Sequence, residues 1–141
     1  MQGKVKARNV TVLVVDDMSF IRKVVRKSLS DLGVKDIVEA ADAAEAVKRL
    51  RERKFDLIIS DWRMPTMSGF DLLDFVRRND RLKEIPFLML TAINEKEKVT
   101  AAAQQGVSDF LIKPFSPDEL EKKIEGLLPD ATPSNPNKGS T

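Results

Sequence analysis

Five polar residues stand at the ends of short apolar runs in this sequence: Asp16, Asp17, Asp61, Thr91 and Lys113. Taken singly, each type has an ordinary explanation, because Asp is a common turn residue, Thr favours strands and Lys is usually solvated. Taken together, they form a set that could bind both a cation and an anion. Close carboxylates repel one another by about 4 kcal/mol per pair at an effective dielectric of about 20, so a cation is expected among them.

The composition restricts that cation to ions that prefer oxygen. The chain of 141 residues contains no histidine and no cysteine, which excludes disulfides, thiolate zinc sites, thiol nucleophiles and imidazole bases. Mg²⁺ fits best, with Mn²⁺ and Ca²⁺ as alternatives, because it usually takes one or two carboxylates and then contacts phosphate oxygens. An aspartate carboxylate can attack phosphorus, and a metal, a lysine and a hydroxyl suit the charge of that transition state. The set therefore predicts phosphorylation of an aspartate.

Five strands and five helices are predicted to position these residues. The strands are short, apolar and rich in β-branched residues, as in a sheet buried on both faces: residues 11–15, 37–40, 57–60, 87–90 and 110–112. The segments between them have helical spacing. Signals for helix ends are predicted at six positions, with caps at Asp42, Ser68, Asn94 and Ser116 and stops at Gly33 and Gly106. This alternation predicts a doubly wound α/β fold, in which the carboxyl ends of parallel strands share one edge.

One folded domain is expected over residues 10–128, with an extension at residues 1–9 and a disordered tail or linker at residues 129–141. The last segment is rich in Pro, Asn and Ser and cannot bury an apolar face. No apolar run approaches the roughly 20 residues that cross a bilayer, and no signal peptide is recognisable. We therefore expect a cytoplasmic protein that does not bind membranes.

The net charge of +2 comes from the chain ends. Without residues 1–8 and 129–141, the sequence has 20 basic and 21 acidic residues, so direct nucleic-acid binding by the domain is not expected. The densest basic cluster, Arg22-Lys23 with Arg26-Lys27, repeats at the i, i+4 spacing of a helix. We interpret it as a solvated helix face.

Four segments around the polar residues closely resemble the motifs of CheY-like response-regulator receiver domains. They are Val14-Val15-Asp16-Asp17, Ser60-Asp61-Trp62-Arg63-Met64-Pro65-Thr66-Met67-Ser68-Gly69, Leu90-Thr91-Ala92 and Ile112-Lys113-Pro114-Phe115. The similarity runs from about Val10 to Leu128, and the motifs together are highly specific. The resemblance implies the strand order 2-1-3-4-5 and a role in two-component or chemotaxis-type signal transduction.

The resemblance also implies which residues bind the metal and which residue accepts the phosphoryl group. Asp61 is expected to be the phosphoacceptor. Asp17, Asp61 and the backbone carbonyl of Arg63 would hold Mg²⁺ or Mn²⁺, with Asp16 acting mostly through a metal-bound water. Lys113 would pair with the phosphoryl oxygens, and Lys113-Pro114 resembles the cis peptide of the family. Trp62, the single tryptophan, is expected to be partly exposed beside the site and to report metal binding by fluorescence.

Signal transmission is expected to couple a movement of the Thr91 hydroxyl towards the phosphoryl group to the aromatic residue Phe110. The resemblance places the output face on the fourth helix, fifth strand and fifth helix, at Lys96, Val99, Phe110 and Lys123. Chemotaxis relatives commonly have Tyr where Phe110 stands, so the missing hydroxyl weakens the expectation of flagellar-motor binding. Arg63 and Ile93 are expected to tune the phosphoryl lifetime, with Ile93 screening the acyl phosphate from water.

The implied donors are a phosphohistidine of a sensor histidine kinase or phosphotransfer protein, and small phosphodonors such as acetyl phosphate. The implied target is a downstream protein, either the flagellar motor or another effector, and the chain would be a monomer or a phosphorylation-dependent dimer. Such a domain phosphorylates itself from small donors and dephosphorylates itself, but it is not a classical turnover enzyme. Two alternatives stay open: the receiver part of a larger regulator whose effector domain follows the linker, and a pseudo-receiver that is never phosphorylated.

Rival classes lack residues they need. A haloacid-dehalogenase-type phosphatase requires a second Asp two residues after the nucleophile, where this chain has Arg63. A P-loop nucleotidase requires a Gly-rich loop ending in Lys-Ser or Lys-Thr. A flavodoxin requires a phosphate-binding loop rich in Ser, Thr and Gly after its first strand, where Asp16 and Asp17 stand.

Overall fold

A computed structural model of the chain describes residues 7–92, 97, 100, 104 and 106–129. In these residues it has five strands and four helices: β1 (Arg8–Val15), α1 (Ser19–Asp31), β2 (Val34–Ala40), α2 (Ala43–Glu52), β3 (Leu57–Asp61), α3 (Gly69–Arg78), β4 (Phe87–Ala92), β5 (Asp109–Lys113) and α4 (Pro117–Leu127). Helix α4 is the fifth of the predicted helices. The predicted fourth, capped by Asn94 and closed by Gly106, lies mostly outside the described residues, but Glu97, Thr100 and Gln104 within it are helical.

The five strands are parallel and follow the order β2-β1-β3-β4-β5, which confirms the predicted doubly wound fold. The register pairs Val15 with Ser60 and Asp61 with Leu90. Thr91 is paired with Ile112 in the next strand. Strands β1, β3, β4 and β5 therefore end side by side at one edge of the sheet.

The core consists of two layers, one on each face of the sheet. Alternate residues of a strand point to opposite faces, so Leu13 and Val15 face α2 and α3, whereas Val12 and Val14 face α1 and α4. Leu50 of α2 and Leu72 of α3 are buried in the first layer. The buried residues that complete the second layer are Val25, Leu29, Leu120 and Ile124. Burial on both faces explains why the strands read as continuous apolar runs.

Four predicted helix ends are confirmed: Asp42, Ser68 and Ser116 cap α2, α3 and α4, and Gly33 follows the end of α1. The Ser68 and Ser116 hydroxyls accept hydrogen bonds from backbone N–H groups three residues on, and each completes a capping box. The Asp42 carboxylate accepts the N–H of Glu45 at 2.8 Å. Gly33 and Gly106 have φ angles of 93° and 100°, which favour glycine because it lacks a Cβ. Of the helices described, none combines the length and apolar character needed to span a membrane.

Two strands begin three residues earlier than predicted, and β5 begins one residue earlier, at Asp109. Strand β1 starts at Arg8, inside the expected extension of residues 1–9, and the Arg8 N–H donates to the carbonyl of Gly33 at 2.9 Å. Strand β2 starts at Val34 instead of residue 37. An edge strand accommodates polar side chains such as Lys35, and pairing of its backbone does not depend on an apolar run.

Candidate functional site

The structure brings four of the five polar residues into one cluster at the carboxyl edge of the sheet. Carboxylate oxygens of Asp16, Asp17 and Asp61 lie within 4.8 Å of one another. The Lys113 ammonium donates to Oδ1 of Asp61 at 2.9 Å and lies 3.5 Å from Oδ2 of Asp16. Thr91 is buried at the end of β4, directly after the residue paired with Asp61. The strand ends thus bring four members of the predicted set together, with Thr91 on the neighbouring strand.

Asp16 is held at its backbone and at one carboxylate oxygen. Its N–H donates to the carbonyl of Ala40 at 3.1 Å, and its Oδ1 accepts the N–H of Met18 at 2.9 Å. The other oxygen, Oδ2, is buried and has no hydrogen-bond partner in the part of the chain described. Lys113 forms a long ion pair with Oδ2, at 3.5 Å, whose geometry is too poor for a good hydrogen bond. A buried acceptor without a partner costs free energy unless an ion or water satisfies it.

Asp61 is positioned by a close approach of helix α3 to its backbone. A Cβ atom added to Gly69 would lie 2.1 Å from the Asp61 carbonyl oxygen and 3.0 Å from Sδ of Met89. The Gly69 N–H donates to the Trp62 carbonyl at 2.8 Å, and the Ser60 hydroxyl donates to the Asp61 carbonyl at 2.9 Å. Only glycine fits at position 69. Sequence reasoning used Gly69 as part of a motif but missed this steric role.

Burial governs the electrostatics of the cluster. Desolvation raises the pKa of Asp61 above its ordinary value, and the hydrogen bond and charge of Lys113 only partly offset this. Desolvation also raises the pKa of Asp16, against the hydrogen bond from Met18. Burial by itself would lower the pKa of Lys113, but the hydrogen bond and charge of Asp61 raise it. Lys113 therefore stays protonated, but its single positive charge does not balance three carboxylates.

The residues present fit a hard divalent cation. The donors are carboxylate oxygens, which Mg²⁺ prefers, and Oδ2 of Asp16 is a buried acceptor in need of a partner. Asp17 is the exposed member of the three and lines an open cleft of about 420 Å³. Arg63, whose backbone carbonyl is the fourth predicted ligand, lines the same cleft. Asp16, Asp17, Asp61 and Arg63 are thus the residues that could hold the ion.

Trp62 lines this cleft but is buried, with 7% of its surface exposed, so the expectation of a partly exposed ring was wrong. Its ring packs against Phe70, with ring centroids 5.6 Å apart, and it belongs to the core layer under α2 and α3. The Trp62 ring is buried because it packs against apolar side chains, although Asp61 next to it in sequence is part of the polar site.

The basic cluster of α1 is only half solvated, which corrects the interpretation of the whole cluster as a surface face. Lys23 and Lys27 are exposed. Arg22 and Arg26 instead donate from Nε to the two carboxylate oxygens of Glu39, at 2.8 and 2.7 Å. Burial acts to raise the pKa of Glu39, but these two arginines outweigh it and lower the pKa. The contact joins α1 to β2, and the i, i+4 pattern within one helix could not reveal it.

Of the residues predicted for switching and output, Thr91 lies beside the site, Phe110 and Lys123 are not part of the carboxylate cluster, and the others lie outside the described residues. Phe110 is half-buried and packs against the core layer under α2 and α3. Lys123 on α4 forms an ion pair with Asp109 at 3.0 Å. Three further predicted residues, Ile93, Lys96 and Val99, are not among the residues that the structure describes. The peptide bond between Lys113 and Pro114 is cis, as the resemblance implied.

Comparisons with known proteins agree with this geometry. Residues 12–125 match the family model described as response regulator receiver domain. The chemotaxis protein CheY of Pseudomonas aeruginosa is 42% identical over 117 residues, which cover 83% of this chain and 94% of that protein.

Two solved structures share the fold at appreciable sequence identity. The chemotaxis response regulator CheY4 of Vibrio cholerae aligns with a TM-score of 0.78 and 39% identity, covering 84% of this chain and 98% of that one. The receiver domain of the sensor histidine kinase PA1611 from Pseudomonas aeruginosa has a magnesium ion coordinated in its active site cleft. It aligns with a TM-score of 0.75 and 25% identity, covering 86% of this chain and 98% of that one. The chain therefore belongs to the response regulator receiver domain family.

Proposed function

We propose that this chain accepts a phosphoryl group on Asp61 in a Mg²⁺-dependent reaction and passes the signal to a downstream protein. The observation that carries the proposal is the contact of Lys113 with Asp61 at 2.9 Å inside a cluster of three carboxylates, one of which has a buried oxygen without a partner. The magnesium ion in the cleft of the PA1611 receiver domain supports the same choice of metal. A cytoplasmic location and a histidine kinase or phosphotransfer protein as donor belong to this proposal.

Each residue has a defined part in the transfer. An Asp61 carboxylate oxygen attacks phosphorus, the bond from phosphorus to the donor oxygen or nitrogen breaks, and the leaving group departs with the electron pair. Lys113 remains protonated and stabilises charge on the phosphoryl oxygens. Mg²⁺ held by Asp17, Asp61 and the Arg63 carbonyl, with Asp16 nearby, would neutralise the charge that gathers on those oxygens.

The change after transfer would begin at the end of β4. The Thr91 hydroxyl is a donor one residue beyond the strand position that pairs with Asp61, and it would bond a phosphoryl oxygen. Phe110 lies half-buried on the neighbouring strand and would move inward, which changes the face that includes Lys96, Val99 and Lys123. Arg63 and Ile93 would set the lifetime of the acyl phosphate. Partner binding through this face would be stronger in the phosphorylated state.

The test is incubation of the purified chain with Mg²⁺ and acetyl phosphate, followed by intact-mass analysis. We expect one added phosphoryl group on the wild type, removed by mild base and absent when EDTA replaces Mg²⁺. Asp61→Asn should gain nothing, because its amide is not a nucleophile. Asp80→Asn is the matched control, since Asp80 is exposed and pairs with Lys83 away from the site, and it should gain the group as the wild type does. Unchanged mass in the wild type would favour a pseudo-receiver and overturn the proposal.

A further inference from the structure

Arg22 joins the acidic turn after β1 to strand β2 through one guanidinium. Its Nε donates to Oε1 of Glu39 at 2.8 Å, and its Nη1 donates to the backbone carbonyl of Asp16 at 2.6 Å. Only 17% of the Arg22 side chain is exposed. We propose that Arg22, oriented by Glu39, is a positioning residue that holds the Asp16-Asp17 turn in the conformation that binds Mg²⁺. The inference rests on the proposed function, since it concerns the metal site of that reaction.

The bonded carbonyl belongs to the peptide group that joins Asp16 to Asp17. A peptide group is planar, so fixing its oxygen also fixes its nitrogen, which is the backbone nitrogen of Asp17. The direction of the Asp17 side chain depends on that orientation. The Asp17 carboxylate is exposed, so packing does not hold it and its position depends on its backbone. Of the other two anchors of the turn, the bond to Ala40 holds Asp16, and the bond from the Met18 N–H to Asp16 holds the peptide group that follows Asp17. Arg22 is therefore the side chain that fixes the peptide group before Asp17, and its loss would release that side of the turn.

The contact requires the shape of arginine as well as its charge. A planar guanidinium donates to a carboxylate from one edge and to a carbonyl from another, whereas a lysine ammonium is a compact point charge. The Glu39 carboxylate is held in place because its two oxygens accept hydrogen bonds from Arg22 and Arg26. It can therefore orient the plane of the Arg22 guanidinium. Removal of a residue that hydrogen-bonds to a metal ligand commonly weakens metal binding by about 10- to 100-fold.

Arg26 supplies a matched control on the same helix. It makes the same kind of bond to Glu39, at 2.7 Å, and also donates to a backbone carbonyl, that of Ile37 at 3.2 Å. That carbonyl lies within β2 and not in the acidic turn. Substitutions of Arg22 and Arg26 thus remove similar interactions of α1, but only the first releases the peptide between the two aspartates.

Charge and position act in opposite directions on Mg²⁺ affinity, which makes the two effects separable. Removing a cation near the site lowers the repulsion of Mg²⁺ and would strengthen binding. Loss of positioning weakens binding. Arg22→Lys keeps the charge and loses the two-sided contact, so it measures position alone, whereas Arg22→Met removes both.

The test is Mg²⁺ titration of the intact chain, followed by Trp62 fluorescence and by calorimetry, for the wild type and substitutions of both arginines. We expect Arg22→Lys to raise the Kd for Mg²⁺ by about 10-fold and Arg22→Met to raise it by less, because loss of the charge partly offsets loss of positioning. Arg26→Lys and Arg26→Met should leave the Kd within about 2-fold of the wild type. Thermal unfolding confirms that each variant is folded. If Arg22→Met does not fold, Glu39→Gln should show a smaller rise in the same direction.

Different failures have different meanings. A Kd for Arg22→Lys equal to that of the wild type, or equal rises for Arg22→Lys and Arg26→Lys, would overturn the inference while leaving the metal site intact. Tighter binding by Arg22→Met would show that only charge matters and would also overturn it. Absence of Mg²⁺ binding by the wild type would overturn the proposed function, and this inference with it.

Discussion

Lys113 lies between two carboxylates, with Nζ 2.9 Å from Oδ1 of Asp61 and 3.5 Å from Oδ2 of Asp16. The contact with Asp61 is a hydrogen bond, whereas Oδ2 of Asp16 has no hydrogen-bond partner among the residues described. One ammonium therefore serves two buried acids, and desolvation keeps the pKa of both above the ordinary value. This imbalance makes the site ready for a divalent cation and costs stability without one.

Asp16→Asn should stabilise the protein in the absence of Mg²⁺. An acid whose pKa is higher in the folded state binds its proton more tightly there, so ionisation of Asp16 destabilises the fold as pH rises above 3.8 through the raised pKa. Asparagine removes that cost and can still accept the Met18 N–H at its oxygen. We expect the free energy of unfolding to rise by about 0.5–2 kcal/mol at pH 7.5 in EDTA, measured by urea denaturation.

The pH dependence provides the control for this prediction. The gain from Asp16→Asn should shrink as pH falls through the raised pKa towards 3.8, where the wild-type carboxyl is protonated in the folded state. Asp17→Asn, at the exposed carboxylate, should give a smaller gain. A loss of stability at pH 7.5, or a gain that does not vary with pH, would contradict the argument.

Lys113→Met should slow phosphorylation while leaving Mg²⁺ binding in place. The charge of Asp61 keeps the pKa of Lys113 above 10.5, so the ammonium is present at neutral pH to stabilise the phosphoryl oxygens. We expect the rate from acetyl phosphate to fall by about 10²- to 10³-fold and Mg²⁺ affinity to stay equal or rise, because a nearby cation is removed. Time-resolved mass analysis and Mg²⁺ titration measure the two. Lys27→Met, at an exposed lysine of α1, should match the wild type; an equal rate for Lys113→Met would refute the role of Lys113.

Gly69→Ala should destabilise the protein, whereas Gly126→Ala should not. The added Cβ at position 69 would lie 2.1 Å from the Asp61 carbonyl oxygen, while nothing lies within 4 Å of one at Gly126 in α4. We expect a loss of about 1–3 kcal/mol at Gly69 from overpacking and a gain of about 0.5–1 kcal/mol at Gly126 from helix propensity. Urea denaturation of both variants checks the contrast. Equal effects at the two positions would show that the close approach of α3 to Asp61 is not tight.

The sequence predicted the elements and the main site residues for a common reason. A buried parallel strand needs a continuous apolar run, and polar residues that end such runs are brought together by the sheet itself, as Asp61, Thr91 and Lys113 are. The order of the strands came from the motif resemblance and not from periodicity. Strand starts at Arg8 and Val34 were missed, because polar residues such as Arg8 and Asp36 pair through their backbones and interrupt the apolar runs.

The supporting residues of the site were missed because their roles depend on tertiary contacts. Glu39 accepts from Arg22 and Arg26 only because β2 lies beside α1 in the folded chain. Gly69 contacts the carbonyl of Asp61 because the turn after β3 brings α3 back against the strand end. Likewise, Trp62 is buried by Phe70, although its neighbours in sequence are polar. The spacing of residues along the sequence does not reveal such contacts.

Arg77→Met should destabilise the protein far more than Arg78→Met, although the two arginines are adjacent in α3. Arg77 donates to three backbone carbonyls, at 2.8 Å to Gly106 and Ile85 and at 3.0 Å to Lys83, and so ties α3 to the loops before β4 and β5. Losing charged hydrogen bonds to carbonyls should lower the free energy of unfolding by about 1.5–3 kcal/mol.

Arg78 instead pairs with Asp74 at 2.9 Å one helical turn away, with 78% of its side chain exposed, so Arg78→Met should cost only about 0.3–0.5 kcal/mol. Urea denaturation at matched pH measures both changes. Arg77→Lys should recover only part of the loss, because an ammonium cannot reach carbonyls on two loops at once. Full recovery by Arg77→Lys would mean that charge alone, and not the fork of donors, holds the loop that leads into β5 and Lys113.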